Sequence, residues 1–122
     1  MRATLDDAPF RLPTSPAEPE LVAKYFRALG HSVRLGILDE LRRRGECSVG
    51  ELVELVGLAQ PKVSQHLACL RWCGFVTTRR EHRVVHYRLA DDRVARMIAL
   101  AHELLRGNAE HLAACEQIDA GC

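Results

Sequence analysis

No run in this 122-residue chain approaches the ~20 consecutive apolar residues that a membrane-spanning helix needs. The opening, MRATLDDAPF, lacks the apolar stretch of a secretory signal. Internal repeats, low-complexity tracts and glycine-rich phosphate-binding loops are also missing. A cytoplasmic chain is therefore expected. Five cysteines, Cys47, Cys69, Cys73, Cys115 and Cys122, occur without an export signal and in an odd number. That pattern argues against a disulfide framework and towards metal or redox chemistry. Cys47 reads as a small buried hydrophobe. No cysteine has a histidine and an acidic partner arranged in a loop as a nucleophile would need, so no enzyme is expected.

The chain is 48% hydrophobic and 27% charged, enough for one compact domain and too apolar for a disordered polypeptide. Its net charge of +1 hides a strong local bias. Residues 1–59 carry eight basic and nine acidic side chains, and residues 91–122 carry three and six. Residues 60–90 carry Lys62, Arg71, Arg79, Arg80, Arg83 and Arg88 against Glu81 alone. A basic stripe on an otherwise neutral chain is the electrostatic footprint of phosphate-backbone binding.

Three regions follow from the pattern: a flexible arm (1–14), a folded domain (15–113) and a tail carrying cysteines (114–122). Ser15-Pro16-Ala17-Glu18 has capping-box form, with Glu18 in the third helical position. A first helix follows, with Leu21, Val22, Tyr25, Phe26 and Leu29 on one stripe, ending at Gly30. A second, about 32–44, buries Val33, Ile37, Leu38 and Leu41, and its final arginines suit the negative end of a helix dipole. Ser48-Val49-Gly50-Glu51 caps a short third helix closed by Gly57. Gln60-Pro61 opens a fourth, with Val63, Leu67 and Leu70 inward, ending at Gly74. Two helices joined by a tight glycine-containing link form a helix-turn-helix. Residues 75–80 and 84–89 read as a β-hairpin, and Asp91 caps one long last helix that continues to Leu112. The fold class is mainly α with a β-hairpin, a winged helix-turn-helix. The apolar stripes of its first and last helices are expected to pair in a homodimer.

The exposed start of the fourth helix offers Gln60, Lys62, Ser64, Gln65 and His66. Glutamine reaches adenine edges, lysine reaches guanine or phosphate, and serine serves either. The hairpin tip adds Arg79, Arg80 and Arg83 for the adjacent backbone. Double-stranded operator DNA is the expected partner. Cys69 and Cys73 stand four residues apart on the same helix, about 6 Å along its axis, so both thiols face one side. Two thiolates can grip one soft ion, with Cys115 or Cys122 completing the shell. Such ligands select cadmium, lead, zinc, mercury, copper(I) or arsenic(III).

Phe26-Arg27-Ala28-Leu29-Gly30-His31-Ser32-Val33-Arg34-Leu35 resembles the opening "ALxxPxRLxIL" of the ArsR/SmtB repressors. Ser48-Val49-Gly50-Glu51-Leu52, followed by Val63-Ser64-Gln65-His66-Leu67, resembles the family's helix-turn-helix, and Val85-His86-Tyr87-Arg88-Leu89 its second wing strand. The likeness covers roughly residues 20–105 in order; Ser32 stands where the family usually has proline. It implies a homodimeric repressor that holds its operator until inducer binds. The stretch His66–Val76 is similar to that of the family's cadmium/lead sensors. By that resemblance Cys69, Cys73 and Cys115 form the inducer site, the last from the partner subunit, with Cys122 an additional thiol. The other sites of the family match less well. Ser48 and Gly50 replace the cysteines of one site, Asp91-Asp92-Arg93 breaks the Asp-x-His start of another, and Asp39 occupies the cysteine position of the persulfide sensors. His102 and His111 leave a mixed nitrogen/sulfur site open. The alternative reading is a thiol redox or sulfur-species sensor; a winged-helix protein–protein adaptor stands further off.

Overall fold

The computed structural model describes residues 17–119. The anticipated Ser15 cap, the arm before it and Cys122 lie outside the described residues. Helix α1 (Glu18–Leu29) starts after Ala17, so Glu18 opens the helix instead of sitting in its third position. Pro19 falls in the first turn, where a missing N–H costs no hydrogen bond. Helix α2 (Ser32–Arg44) is capped by a residue the sequence pattern did not single out. The His31 side chain accepts from the Val33 backbone N–H at 3.1 Å through Nδ1. In its last turns Arg42 binds Asp39 at 2.6 Å, while Arg43 and Arg44 both bind Glu40, at 2.7 and 3.0 Å.

Strand β1 (Cys47–Ser48) is two residues long and was not anticipated. It pairs antiparallel with the hairpin, Cys47 opposite Tyr87 and Ser48 opposite His86. Ser48 then caps helix α3 (Val49–Val56) with the expected reciprocal pair: Glu51 N–H to Ser48 Oγ at 3.1 Å and Ser48 N–H to Glu51 Oε1 at 2.8 Å. Gly57 closes α3 in the left-handed conformation that glycine adopts without strain. Helix α4 (Gln60–Trp72) follows after two further residues, and Cys73 is its C-cap. Strands β2 (Val76–Glu81) and β3 (Val84–Leu89) form the wing, in a three-stranded sheet of order β1-β3-β2. Their two-residue turn puts His82 at φ 58°, a costly position for a residue with a Cβ.

Asp91 caps α5 (Asp92–Arg106), accepting from the Arg93 backbone N–H at 2.8 Å. The single long final helix expected from periodicity does not form. Gly107 and Asn108 separate α5 from α6 (Ala109–Ala113), and α7 (Glu116–Asp119) follows. Glycine is a poor helix former, and the apolar repeat beyond it has no core to bind it.

One core gathers Ile37, Leu38 and Leu41 of α2, Leu52 of α3, Val63, Leu67 and Leu70 of α4, Phe75, Val76, and Val94 and Ile98 of α5. Val33 packs at its edge, half-buried, and Cys47 is sealed within it as expected. Outside this core, α1 exposes Leu21, Val22 and Phe26, and α5 to α7 expose Leu100, Leu104, Leu105, Leu112 and Ile118. Among the described residues no helix is long and apolar enough to cross a membrane.

Candidate nucleic-acid interface and thiol site

Helix α4 turns Val63, Leu67 and Leu70 inward, which fixes what faces outward. Gln60, Lys62, Ser64 and Gln65 are all exposed along its first two turns. Ala59 provides no side-chain cap, so the positive end of the helix dipole stays open towards that surface. His66 lies differently. It is half-buried on the side towards α2, its Nδ1 accepts from Arg34 Nε at 3.2 Å, and its ring packs against His31 with centroids 4.5 Å apart and planes tilted by 53°. Burial first, then the neighbouring His31, Arg34 and Lys62 charges, hold its imidazole below the ordinary value. Of the five side chains expected at the reading edge, four face solvent and His66 anchors the helix to α2.

The wing divides in the same way. Arg79 is committed to Glu46 through two hydrogen bonds, at 2.6 and 3.1 Å, and to Glu81 at 3.5 Å. The hydrogen bond to Glu46, the largest cause, raises the guanidinium above its ordinary value, and the same bond pulls Glu46 down. His86 stands opposite Arg79 in the ladder, 3.7 Å from Glu81. Arg80 and the tip residue Arg83 are exposed and make no ion pair among the described residues. Glu46, which ties the wing to the loop before β1, was invisible to local pattern because it lies 33 residues from Arg79.

At the other end of α4 the two anticipated thiols meet. The Cys73 N–H donates to the Cys69 carbonyl at 3.0 Å, and the side chains hydrogen-bond with each other. Burial, then the Cys69 charge and that thiol–thiol bond, push Cys73 up, while Arg34 and Lys24 oppose the shift. Tyr25 of α1 completes the wall: its ring packs 4.3 Å from Phe75, and burial followed by the Cys73 charge raises its phenol. Cys115 sits half-buried between α6 and α7. Among the described residues no three His, Cys, Asp or Glu side chains gather as a metal shell. One chain thus brings Cys69 and Cys73 together and leaves Cys115 apart. Two sulfur donors suit a soft ion, and an ion that demands three ligands needs another from elsewhere. His102 instead faces Asp39 at 3.6 Å, and His111 faces Asn108 at 3.2 Å.

A helical core, a fourth helix with an exposed polar face and a basic β-wing together define a winged helix-turn-helix. Residues 31–78 match the family model described as bacterial regulatory protein, arsR family, and the chain belongs to that family. It is 42% identical over 100 residues to the "Probable mercury resistance operon repressor" of Streptomyces lividans, spanning 82% of this chain and 79% of that protein. Among solved structures, M. tuberculosis Rv0081 superposes with a TM-score of 0.74 at 35% identity, over 82% of this chain and 100% of that one. The homodimeric winged helix-turn-helix domain Mb0332 of Mycobacterium bovis superposes at 0.68, with 31% identity over 81% of this chain and 95% of that one.

Proposed function

We propose that the protein is a transcriptional repressor that binds operator DNA as a homodimer and releases it when a soft metal ion occupies Cys69 and Cys73. The observation that carries this reading is the paired thiols at the end of the helix whose other end presents Gln60, Lys62, Ser64 and Gln65. A ligand there acts directly on the element that reads DNA. Arg80 and Arg83 supply phosphate contacts beside it. Exposed apolar faces on α1 and α5–α7 support the dimer, as does the homodimeric relative. Cadmium or lead needs a third thiolate, which Cys115 of the partner subunit supplies, with Cys122 an additional thiol. Arsenic(III) has the same requirement, and zinc calls for four ligands in all. Mercury(II) is satisfied by two thiolates in line, so the Cys69–Cys73 pair alone serves it, and the name of the S. lividans relative favours that second reading. In either case ligation displaces thiol protons, so metal uptake strengthens as pH rises.

The test is an operator-binding titration by fluorescence anisotropy under anaerobic, reduced conditions. The duplex is first selected from random sequence by the metal-free protein. Cadmium, lead, mercury, zinc and arsenite are then added to wild type, C69S, C73S and C115S. Metal-driven release lost in C69S and C73S is the expected result. Loss of cadmium and lead response in C115S with mercury response kept assigns the third ligand. Release driven by peroxide or polysulfide, with no thiolate-to-metal absorption band, overturns the metal reading in favour of a thiol redox sensor.

A further inference from the structure

We infer that His31 and His66 form a seat for a DNA backbone phosphate, each offering one Nε2–H donor beside the Lys62 ammonium. The inference rests on the operator-binding part of the reading above, not on its metal part, and it names the DNA atoms that these side chains meet.

The protein decides the tautomer of both rings. His31 Nδ1 accepts from the Val33 backbone N–H at 3.1 Å, and His66 Nδ1 accepts from Arg34 Nε at 3.2 Å. A backbone amide and a guanidinium only donate, so each Nδ1 is a bare lone pair and each neutral ring carries its proton on Nε2. The rings pack with centroids 4.5 Å apart. Arg34 is held in turn by the Ala28 carbonyl at 3.1 Å, which braces His66 from behind. His31 is exposed. The Nε2 of half-buried His66 has no hydrogen-bond partner among the described residues and is not sealed from solvent. The charges that bear on His66 are those of His31, Arg34 and Lys62, with no carboxylate among them. Such a place suits an anion.

Position on α4 decides which anion. Val63, Leu67 and Leu70 face the core, and Gln65 points away from it. Lys62 and His66, four residues apart, share the flank towards α2. A helix with its side chains is about 10–12 Å across and the major groove about 12 Å wide, so a seated helix shows its flanks to the groove walls. Those walls are sugar and phosphate. With Gln65 on the base edges, the flank of Lys62, His66 and the adjoining His31 meets a phosphodiester. The two Nε2–H groups donate to its oxygens, and Lys62 supplies the neutralising charge. Neutral donors displace no counterion, so the histidine pair adds affinity and register without adding salt dependence. Arg34 and the Val33 amide fix the tautomers and touch no DNA.

The experiment uses the full, metal-free chain and the duplex it selects from random sequence. Backbone phosphates are replaced one at a time by uncharged methylphosphonate. Affinity is read by anisotropy for wild type, H31N, H66N, the double variant and K62Q. Asparagine can cap α2 and can accept from Arg34 near the Nδ1 position, but it ends short of the Nε2 position. One phosphate in each half-site is expected to cost wild type about fivefold or more when neutralised, and the double variant less than about twofold. The losses in the histidine variants should be equal on the selected duplex and on one with altered bases. Their slope of log affinity against log salt should stay that of wild type, whereas K62Q should lower it by about 0.9 per subunit. Imidazole ¹⁵N spectra of wild type should show both rings in the Nε2–H form. Their Nε2 signals should move on binding the natural duplex and stay in place with the methylphosphonate one, a readout that needs no variant to fold. Four results overturn the seat while DNA binding stands: equal cost of the phosphate in wild type and double variant, a loss confined to the selected bases, a changed salt slope in the histidine variants, or an unchanged one in K62Q. A wild-type chain that selects no duplex overturns the operator-binding reading itself, and the seat with it.

Discussion

The inner face of α4 and the outer faces of α1 and α5–α7 are made of the same aliphatic residue types, yet they meet opposite fates. Leu67 is 0% exposed and Leu104 is 68% exposed. The helix-turn-helix and wing close on themselves: α2, α3, α4, both wing strands and the inner face of α5 contribute to one core, and no buried side-chain polar atom lacks a partner among the described residues. The terminal helices do not close. They expose Leu21, Phe26, Leu100, Leu104, Leu105 and Leu112, apolar surface of the kind that partners cover. The reading unit is therefore complete within one chain, whereas the terminal layer awaits a second surface.

Substitutions that act on one side and spare the other test this division. The largest effect is expected from Leu67→Ala, which should cost about 2–5 kcal/mol by removing a packed side chain from a sealed site. Urea unfolding at several protein concentrations measures it. A loss that disappears at high concentration would place Leu67 in the intersubunit layer and break the comparison. Leu104→Glu should do the reverse, leaving the circular dichroism of the folded chain in place while shifting sedimentation from dimer to monomer. A loss of helix content in that variant would show Leu104 to be part of the intrachain core.

A smaller effect is expected with pH. His66 has a folded value below its ordinary 6.5, so the folded state binds fewer protons than the unfolded one. Its contribution is full above the unfolded value and is lost as pH falls through the lowered folded value. Between about pH 7 and pH 5, above the range where carboxylates titrate, wild-type stability should fall more steeply than that of H66N. Parallel curves would remove His66 from the α2–α4 contact. Asp39, Glu46, Glu51 and Asp91 are all lowered by their partners and act in the same direction at more acidic pH. The smallest effect is local. His82→Gly should stabilise the wing by about 1 kcal/mol, because glycine carries no Cβ penalty at φ 58°.

Much of the architecture was legible in the order of residues. The Ser48–Glu51 capping box, the Gly57 terminus, the Pro61 helix start and the Asp91 cap are local devices, each written within four residues of where it acts. The Cys69–Cys73 pair was legible for the same reason, since helical spacing decides it. What escaped was non-local. β1 is too short to show alternation and exists because Cys47 and Ser48 find Tyr87 and His86 across the sheet. Arg79 also binds Glu46, a partner too far away in sequence for local pattern to show. His66 read as an exposed position, whereas Arg34, 32 residues earlier, holds it half-buried. The last helix was extended on apolar periodicity alone, which does not register that Gly107 and Asn108 lack packing to carry the helix through.

Strand β1 also sets the kinematics of the whole reading surface. By lacing the base of the wing to the residue that caps α3, it makes hairpin and helix-turn-helix a single body with no joint between them. On the proposed reading, an α4 seated in a groove would bring Arg80 and Arg83 to the neighbouring backbone at a local concentration set by the fold, with no flexible tether to be ordered. The same stiffness works in reverse, so a rotation of α4 of a few degrees withdraws wing and helix in one movement.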